Sequence, residues 1–293
     1  PRPAAKPRAK PSSAAAATPD AHTTARKEDP SRAQALPPTL APDGSGSSHS
    51  RAAAFSADSF SKLPLEPYLI RQLGKLGLGA MTPVQRQVIP SVVSGRDVLV
   101  RSPTGSGKTL AYAVPLVQRL LELGAGVVTR AAGTFGIVLV PTRELAVQSH
   151  EVVESLCHPF PWIVTTTLMG GERRKAEKAR LRKGVALIIA TPGRLGDHID
   201  TTCAFNLLNC SALVLDEADR LLQMGFADAL EKITNALDAR VADSVPRVSV
   251  LLSATLPREL RELAGRMLQS PLTVDVSAAS AAATAAASPH AGA

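Results

Sequence analysis

The sequence around residue 102 reads Ser102-Pro103-Thr104-Gly105-Ser106-Gly107-Lys108-Thr109. An apolar run at 98–100 precedes it, and an amphipathic pattern at 108–123 follows it. An apolar strand, a glycine-rich turn and Lys-Thr at the start of a helix are typical of a phosphate-binding loop. The strict pattern Gly-x-x-x-x-Gly-Lys-Ser/Thr has glycine where this chain has Ser102, so a polar loop before a helix stays open as the alternative.

Each residue type in this loop has a use in binding a nucleotide. Gly105 and Gly107 let the backbone turn so that its N–H groups point at phosphate oxygens. Lys108 can place an ammonium against the outer phosphates, and the Thr109 hydroxyl can ligate a Mg²⁺ ion that bridges them. The sequence therefore predicts a nucleotide site held by Ser102, Thr104, Gly105, Ser106, Gly107, Lys108 and Thr109.

Apolar runs of strand length alternate with helical patterns through the middle of the chain. We predict strands at 97–101, 136–140, 162–168, 185–190, 212–215 and 248–252, with a candidate last strand at 272–276. Amphipathic helices are predicted at 108–123, 143–156, 226–237 and 258–268. Several strands are apolar on both faces, which favours a doubly wound α/β fold with a parallel sheet and helices on each side. Ligands of such sheets bind at the carboxyl ends of the strands.

Composition divides the chain into a core and two tails. Residues 1–59 and 277–293 are rich in Ala, Pro and Ser, and we predict disorder because they bury too little apolar surface to fold. The N-terminal segment is either a basic RNA-binding or targeting tail or a solvated linker. The net charge of +8 favours polyanionic partners. No apolar run is long enough to span a membrane, and we expect no membrane partner.

Three cysteines occur, at 157, 203 and 210. Their number is odd and no C-x-x-C spacing occurs, so neither a disulfide framework nor a zinc site is indicated. We predict that all three are small buried residues of an intracellular protein.

Adjacent acids follow the strand at 212–215, in the tetrapeptide Asp216-Glu217-Ala218-Asp219. Ionised carboxylates at the end of a buried strand need partners. We expect Asp216 to hold Mg²⁺, directly or through its waters, and Glu217 to orient and deprotonate the water that attacks the γ-phosphate. The alternative is an N-cap and acidic first turn for the helix that follows.

Seven motifs, in order, resemble those of the DEAD-box family of ATP-dependent RNA helicases. They are Met81-Thr82-Pro83-Val84-Gln85, the phosphate loop, Pro141-Thr142-Arg143-Glu144-Leu145-Ala146, Gly170-Gly171, Thr191-Pro192-Gly193-Arg194, Asp216-Glu217-Ala218-Asp219 and Ser253-Ala254-Thr255. The resemblance covers 60–276 and implies the first of the family's two RecA-like domains. The arginines that the family's second domain adds to the ATP site have no candidates in 277–293, so we expect this chain alone to be weakly active.

The resemblance also implies a role for each motif residue. Gln85 would read the adenine edge and Phe60 would stack on the ring, although Phe60 is equally a candidate hydrophobic anchor. Lys108, Asp216, Glu217 and Asp219 would hydrolyse ATP, while Ser253 and Thr255 would couple hydrolysis to strand separation or simply form a small-residue strand exit. The sugar-phosphate backbone of single-stranded or duplex RNA would be held by Pro141, Thr142, Arg143, Gly170, Gly171, Thr191, Pro192, Gly193 and Arg194.

A narrower resemblance concerns nucleolar DEAD-box proteins that act in assembly of the large ribosomal subunit. Two segments carry it, 100–103 and 171–184, and the second has seven Lys or Arg against two Glu. This run could contact RNA phosphates or form a solvated helix face. The resemblance implies pre-ribosomal partners, a nuclear or nucleolar location and a monomer. The rival class is a non-catalytic RNA-binding assembly factor that retains the same fold.

Overall fold

The computed structural model describes residues 59–242 and 244–276, so the two predicted tails lie outside the described residues apart from Ser59. The strands are β1 (Val98–Arg101), β2 (Gly136–Leu139), β3 (Thr165–Leu168), β4 (Leu187–Ala190), β5 (Ala212–Leu215), β6 (Val248–Ser253) and β7 (Leu272–Asp275). They form one sheet in the order β3-β4-β2-β5-β6-β1-β7, and every pairing is parallel. The predicted doubly wound α/β sheet is confirmed.

Helices connect these strands on both faces of the sheet. Within the described residues they are α1 (Pro67–Lys75), α2 (Pro83–Val93), α3 (Lys108–Leu123), α4 (Arg143–Cys157), α5 (Arg174–Lys183), α6 (Pro192–Thr201), α7 (Ala218–Gln223), α8 (Ala227–Arg240) and α9 (Arg258–Met267). The four helices expected from amphipathic periodicity are α3, α4, α8 and α9. Among the described helices, none combines the length and the apolar character needed to cross a membrane.

The sheet separates two hydrophobic clusters. Alternate residues of a strand point to opposite faces, and β2 shows this directly. Val138 packs in one cluster, with helices α1 to α4, while Ile137 and Leu139 pack in the other. Strands β2, β4, β5 and β6 are buried along their whole length, as expected for strands covered by helices on both sides.

Asp97 secures the amino-terminal edge of the sheet, where β1 begins. Its buried carboxylate accepts hydrogen bonds from the backbone N–H groups of Ser249 and Gln269, both at 2.7 Å. These bonds join the start of β1 to β6 and to the segment after α9. The carboxylate lies at the opposite edge from the loops where ligands are expected.

The cysteines only partly follow prediction. Cys157 and Cys210 are buried, and burial raises the pKa of each thiol to about 12. Cys203 is exposed, so the prediction that it is buried was wrong. It lies in the turn that follows α6, beyond the apolar positions of that helix.

Candidate nucleotide and nucleic-acid site

The carboxyl ends of six neighbouring strands bring the predicted site residues together. The loops after β3, β4 and β2 carry the motifs that the resemblance assigned to RNA, at 170–171, 191–194 and 141–143. The loops after β5, β6 and β1 carry those assigned to ATP. A backbone hydrogen bond of 2.9 Å from Ser102 N–H to the Ser253 carbonyl joins two of these loops. The sheet order therefore divides one continuous edge into two adjoining sites.

The phosphate loop has the backbone shape that its glycines predict. Gly105 and Gly107 have φ values of +74° and +92°, and α3 begins directly after Gly107. Lys108 is buried, and its Nζ donates to the Ser102 carbonyl at 3.0 Å. The Ser102 hydroxyl, where the strict motif has glycine, donates to Ser106 Oγ at 2.6 Å. The departure from the motif thus adds a hydrogen bond inside the loop.

Gln85 attaches helix α2 to this loop. Its Oε1 accepts the Thr82 N–H at 2.9 Å, which caps α2, and its Nε2 donates to the Gly107 carbonyl at 3.0 Å. A Cβ on Gly107 would lie 2.5 Å from Gln85 Nε2, so the contact requires glycine at this position. In this conformation the amide binds the chain itself, and adenine recognition by Gln85 stays a prediction.

Phe60 lies in the hydrophobic core. Its side chain is 2% exposed, within a short 3₁₀ turn that precedes α1. The ring is buried in this structure, and its stacking on an adenine stays a prediction. The position agrees with the other interpretation of Phe60, a hydrophobic anchor at the start of the domain.

Asp216, the first of the two acids after β5, interacts with Lys108 of the phosphate loop. Asp216 is buried, and burial raises the pKa of its carboxyl to about 6, although the Lys108 ammonium, the Glu217 N–H and the Tyr112 hydroxyl act to lower it. The Glu217 N–H donates to Asp216 Oδ1 at 2.9 Å. The Lys108 cation and the Asp216 carboxylate, distant in sequence, therefore act on each other at one rim of the sheet.

Glu217 has a left-handed backbone, with φ +50°, which is uncommon for a residue other than glycine. Its carboxylate accepts a hydrogen bond from Arg220 Nη1 at 2.7 Å and is 15% exposed. Such local strain is typical of functional positions.

Tyr112 interacts with Asp216, and the sequence did not predict this contact. Its side chain is fully buried on α3, and its hydroxyl lies 3.1 Å from Ser149 Oγ on α4. Burial raises the pKa of this phenol well above its ordinary value, and the charge of Asp216 raises it further. A polar tip on the apolar face of an amphipathic helix is the sequence signal that could have identified it.

Asp219 connects the acidic motif to the end of β6. Its Oδ2 accepts hydrogen bonds from the Thr255 hydroxyl at 2.7 Å and the Thr255 N–H at 3.0 Å. Its own N–H donates to Ser253 Oγ at 3.3 Å. Burial raises the pKa of Asp219, but the hydrogen bonds with Thr255 and Ser253 outweigh it and leave the pKa below its usual value. The structure thus joins the two motifs, while their coupling role stays a prediction.

A groove of about 660 Å³ opens beside these residues. The lining includes Pro141, Thr142, Arg143, Gly170, Thr191, Gly193 and Arg194. The Thr142 hydroxyl caps α4 by accepting the Leu145 N–H at 3.2 Å. Arg143 packs so closely on the glycine pair that a Cβ would lie 2.7 Å from its guanidinium at Gly170 and 2.8 Å at Gly171. Pro192 is buried at the start of α6.

Arg194 holds the turn that follows β3. Its Nε donates to the Met169 carbonyl at 3.2 Å, and its Nη2 donates to the Glu172 carbonyl at 3.1 Å. The side chain is only 10% exposed, although it lines the groove. The guanidinium therefore shapes the groove wall from inside the protein.

Comparison with protein-family models identifies the family of this chain. The family model described as DEAD/DEAH box helicase matches residues 82–263, more than half of the chain. The chain belongs to this family. The helicase motifs from Gln85 to Thr255 lie inside the matched range, whereas Phe60 lies outside it.

Two curated helicases illustrate the similarity. The chain is 48% identical over 223 residues to the human ATP-dependent DNA helicase DDX31, which covers 76% of this chain and 26% of that protein. It is 47% identical over 221 residues to the ATP-dependent RNA helicase DBP7 of Gibberella zeae, which covers 70% of this chain and 30% of that protein. The chain thus spans about a quarter to a third of the length of these helicases.

A solved DEAD-box structure has the same fold. The crystal structure of a DEAD box protein from the hyperthermophile Methanococcus jannaschii matches with a TM-score of 0.66 and 31% identity. The match covers 76% of this chain and 57% of that one. The expected RecA-like fold is confirmed.

Proposed function

We propose that this chain is the first RecA-like domain of an ATP-dependent RNA helicase, with domain limits of 60–276. The carrying observation is the meeting of Lys108 and Asp216 at one sheet edge, where the Lys108 cation lowers the pKa of the Asp216 carboxyl against the effect of burial. Both residues lie beside a glycine-rich loop at a helix start, and backbone N–H groups at such a start suit a triphosphate. The family membership and the ATP-dependent relatives support the same ligand.

The residues present fit magnesium-bound ATP. Among residues 59–242 and 244–276 no three His, Cys, Asp or Glu side chains cluster as a complete metal cage. Mg²⁺ is commonly held by one or two carboxylates together with substrate phosphates, so Asp216 and Thr109 would be sufficient protein ligands. The ion would neutralise charge on the phosphates. Lys108 binds the outer phosphates, and Glu217 orients and deprotonates the attacking water.

The adjoining groove is the proposed RNA site. Thr142, Arg143, Gly170, Gly171, Thr191 and Arg194 would contact phosphates and sugars, with Pro141, Pro192 and Gly193 shaping the backbone. Helix starts at Arg143 and Pro192 provide N–H groups that favour phosphate oxygens. Contacts of this kind position a strand without reading bases, so binding would be independent of sequence.

The ATP site can be tested by titrating the 293-residue chain with a fluorescent ATP analogue and Mg²⁺. Replacing Lys108→Ala removes a charge-assisted contact and is expected to raise Kd at least about tenfold. Lys62→Ala, an exposed lysine before α1, is the matched control and should leave Kd unchanged. Equal affinity of Lys108→Ala and wild type would overturn the proposed site.

Hydrolysis by this chain alone is expected to be slow. The family's second domain supplies arginines whose counterparts in related enzymes contribute on the order of 10³–10⁵ to turnover. RNA-stimulated phosphate release should therefore be low for wild type and for Glu217→Gln alike. Rapid release that Glu217→Gln abolishes would refute the need for a second domain.

Two other functions remain to be compared with this one. A non-catalytic assembly factor would keep its biological activity after Lys108→Ala, whereas a helicase would lose it. Human DDX31 is named as a DNA helicase, so the affinities of this chain for RNA and DNA oligonucleotides of one sequence should be compared. We further propose, from the narrower resemblance, a monomer acting on pre-ribosomal particles in the nucleolus, which co-sedimentation with such particles would test.

A further inference from the structure

Glu177 carries a fully buried carboxylate on α5, between the β3 turn and α6. Its side chain is 0% exposed, whereas the exposed positions of the same helix are mostly basic. A buried carboxylate is costly unless charged or hydrogen-bonding groups surround it. Glu177 lies within the basic segment 171–184, but none of the roles described above involves its carboxylate. Its partners therefore indicate what it does.

Three groups converge on the Glu177 carboxylate. Oε1 accepts the Met169 N–H at 3.3 Å. Oε2 lies 3.0 Å from His198 Nε2 and 3.4 Å from Arg194 Nε. Because a carboxylate only accepts, the hydrogen on His198 is assigned to Nε2. Nδ1, at 3.0 Å from Thr202 Oγ1, can then accept the Thr202 hydroxyl in a neutral ring.

These contacts close a ring behind the groove wall. Arg194 bonds the Met169 carbonyl, and Glu177 bonds both the Met169 N–H and Arg194. The turn that starts at Met169 presents Gly170 to the groove. Glu177 thus fixes the guanidinium and the turn with one pair of oxygens. If Glu177 were neutral, the hydrogen-bond partners described for the mostly buried Arg194 cation would all be backbone carbonyls.

We propose that Glu177 is a positioning residue for nucleic-acid phosphate binding, acting through Arg194 and the Met169–Gly170 turn. The inference rests on the proposed RNA-binding function of the groove. A purely structural role would make the same contacts but would stabilise the whole domain without affecting the groove selectively. The two roles differ in what a substitution changes.

The direct test uses Glu177→Gln in the full 293-residue chain and a short fluorescein-labelled oligouridylate. Loss of one charge-assisted contact is expected to raise Kd about tenfold. The slope of log Kd against log salt concentration should fall by about 0.7, the value for one phosphate contact to a single strand. Asp97→Asn is the matched control, since it neutralises a buried carboxylate at the opposite edge and should leave both quantities unchanged.

A double-mutant cycle distinguishes an effect of Glu177 that is transmitted through Arg194 from a general destabilisation of the domain. In an Arg194→Ala background, Glu177→Gln should add less than about twofold to Kd, because the contact that it positions is already absent. Additive effects of the two substitutions would overturn the proposal. So would equal weakening by Glu177→Gln and Asp97→Asn.

A measurement without RNA distinguishes failure of this inference from failure of the proposed function. The Arg194 Nε–H resonance, assigned by its loss in Arg194→Ala, should exchange with solvent at least about tenfold faster in Glu177→Gln than in wild type or Asp97→Asn. Unchanged exchange would overturn the positioning role. If exchange is faster in Glu177→Gln but the wild-type chain binds no oligouridylate, the positioning of Arg194 would be supported and RNA as the ligand would be overturned.

Discussion

Residues of the proposed nucleotide site bind one another in this structure. Lys108 bonds the Ser102 carbonyl, Gln85 bonds the Gly107 carbonyl, and Asp219 bonds Thr255. A ligand would therefore exchange partners with groups that are already placed and would order little new backbone. The motif residues could be recognised from sequence because each chemistry needs particular side chains. Their bonds to one another could not, since these depend on which loops become neighbours.

Gly107→Ala should destabilise the domain more than Gly105→Ala. Both positions have positive φ, so an L side chain is strained at either, but only at 107 would the new Cβ lie 2.5 Å from a buried amide. Nothing lies within 4 Å of a Cβ at 105. We expect the difference in unfolding free energy to be about 1–2 kcal/mol in urea titrations. Equal losses would show that the contact with Gln85 does not restrict position 107.

Every predicted strand and helix exists, but several helices of the structure were not predicted. Helix α3 has the bounds predicted from its apolar spacing, and each predicted strand exists. Helices α1 and α2 were not predicted, and neither was α5, on which only Glu177 and Leu181 are buried. Strand β3 begins at Thr165 and not at 162, since Trp162 belongs to the turn after α4, where it packs edge-on against Phe160. Local pattern does not record such tertiary contacts.

Replacing Asp97 tests how much one buried carboxylate contributes to the stability of the domain. Asp97→Asn replaces one of two charged acceptors for the Ser249 and Gln269 N–H groups, leaving a buried donor poorly matched. We expect a loss of about 2 kcal/mol of unfolding free energy. The control is Asp238→Asn, whose carboxylate is exposed and bonds only Arg247 among the contacts described, and which should change stability by less than about 0.5 kcal/mol. A smaller loss for Asp97→Asn than for Asp238→Asn would contradict this account of the edge.

At the scale of the whole molecule, the two hydrophobic clusters share the strands of one sheet, so we expect them to unfold together. Each internal strand contributes to both clusters, so neither face can open without exposing the other. Cys157 lies in one cluster and Cys210 in the other. The two thiols therefore report on the two faces separately.

Thiol labelling should show one fast and two slow cysteines. Cys203 is exposed and should react at once with a thiol reagent. Burial keeps Cys157 and Cys210 protonated, with pKa values of about 12, so they should react only on unfolding and at a common rate. Mass spectrometry of labelled peptides along a urea series would measure this. Earlier labelling of one buried thiol would mean that the faces open independently.

At Glu217, the left-handed backbone makes the substitution that would raise stability the same one that would remove the proposed base. Glycine at that position would relieve about 1 kcal/mol of backbone strain while removing the proposed base. Libraries selected only for heat resistance should therefore accumulate glycine there, so thermal screening alone would enrich variants that lack the proposed base.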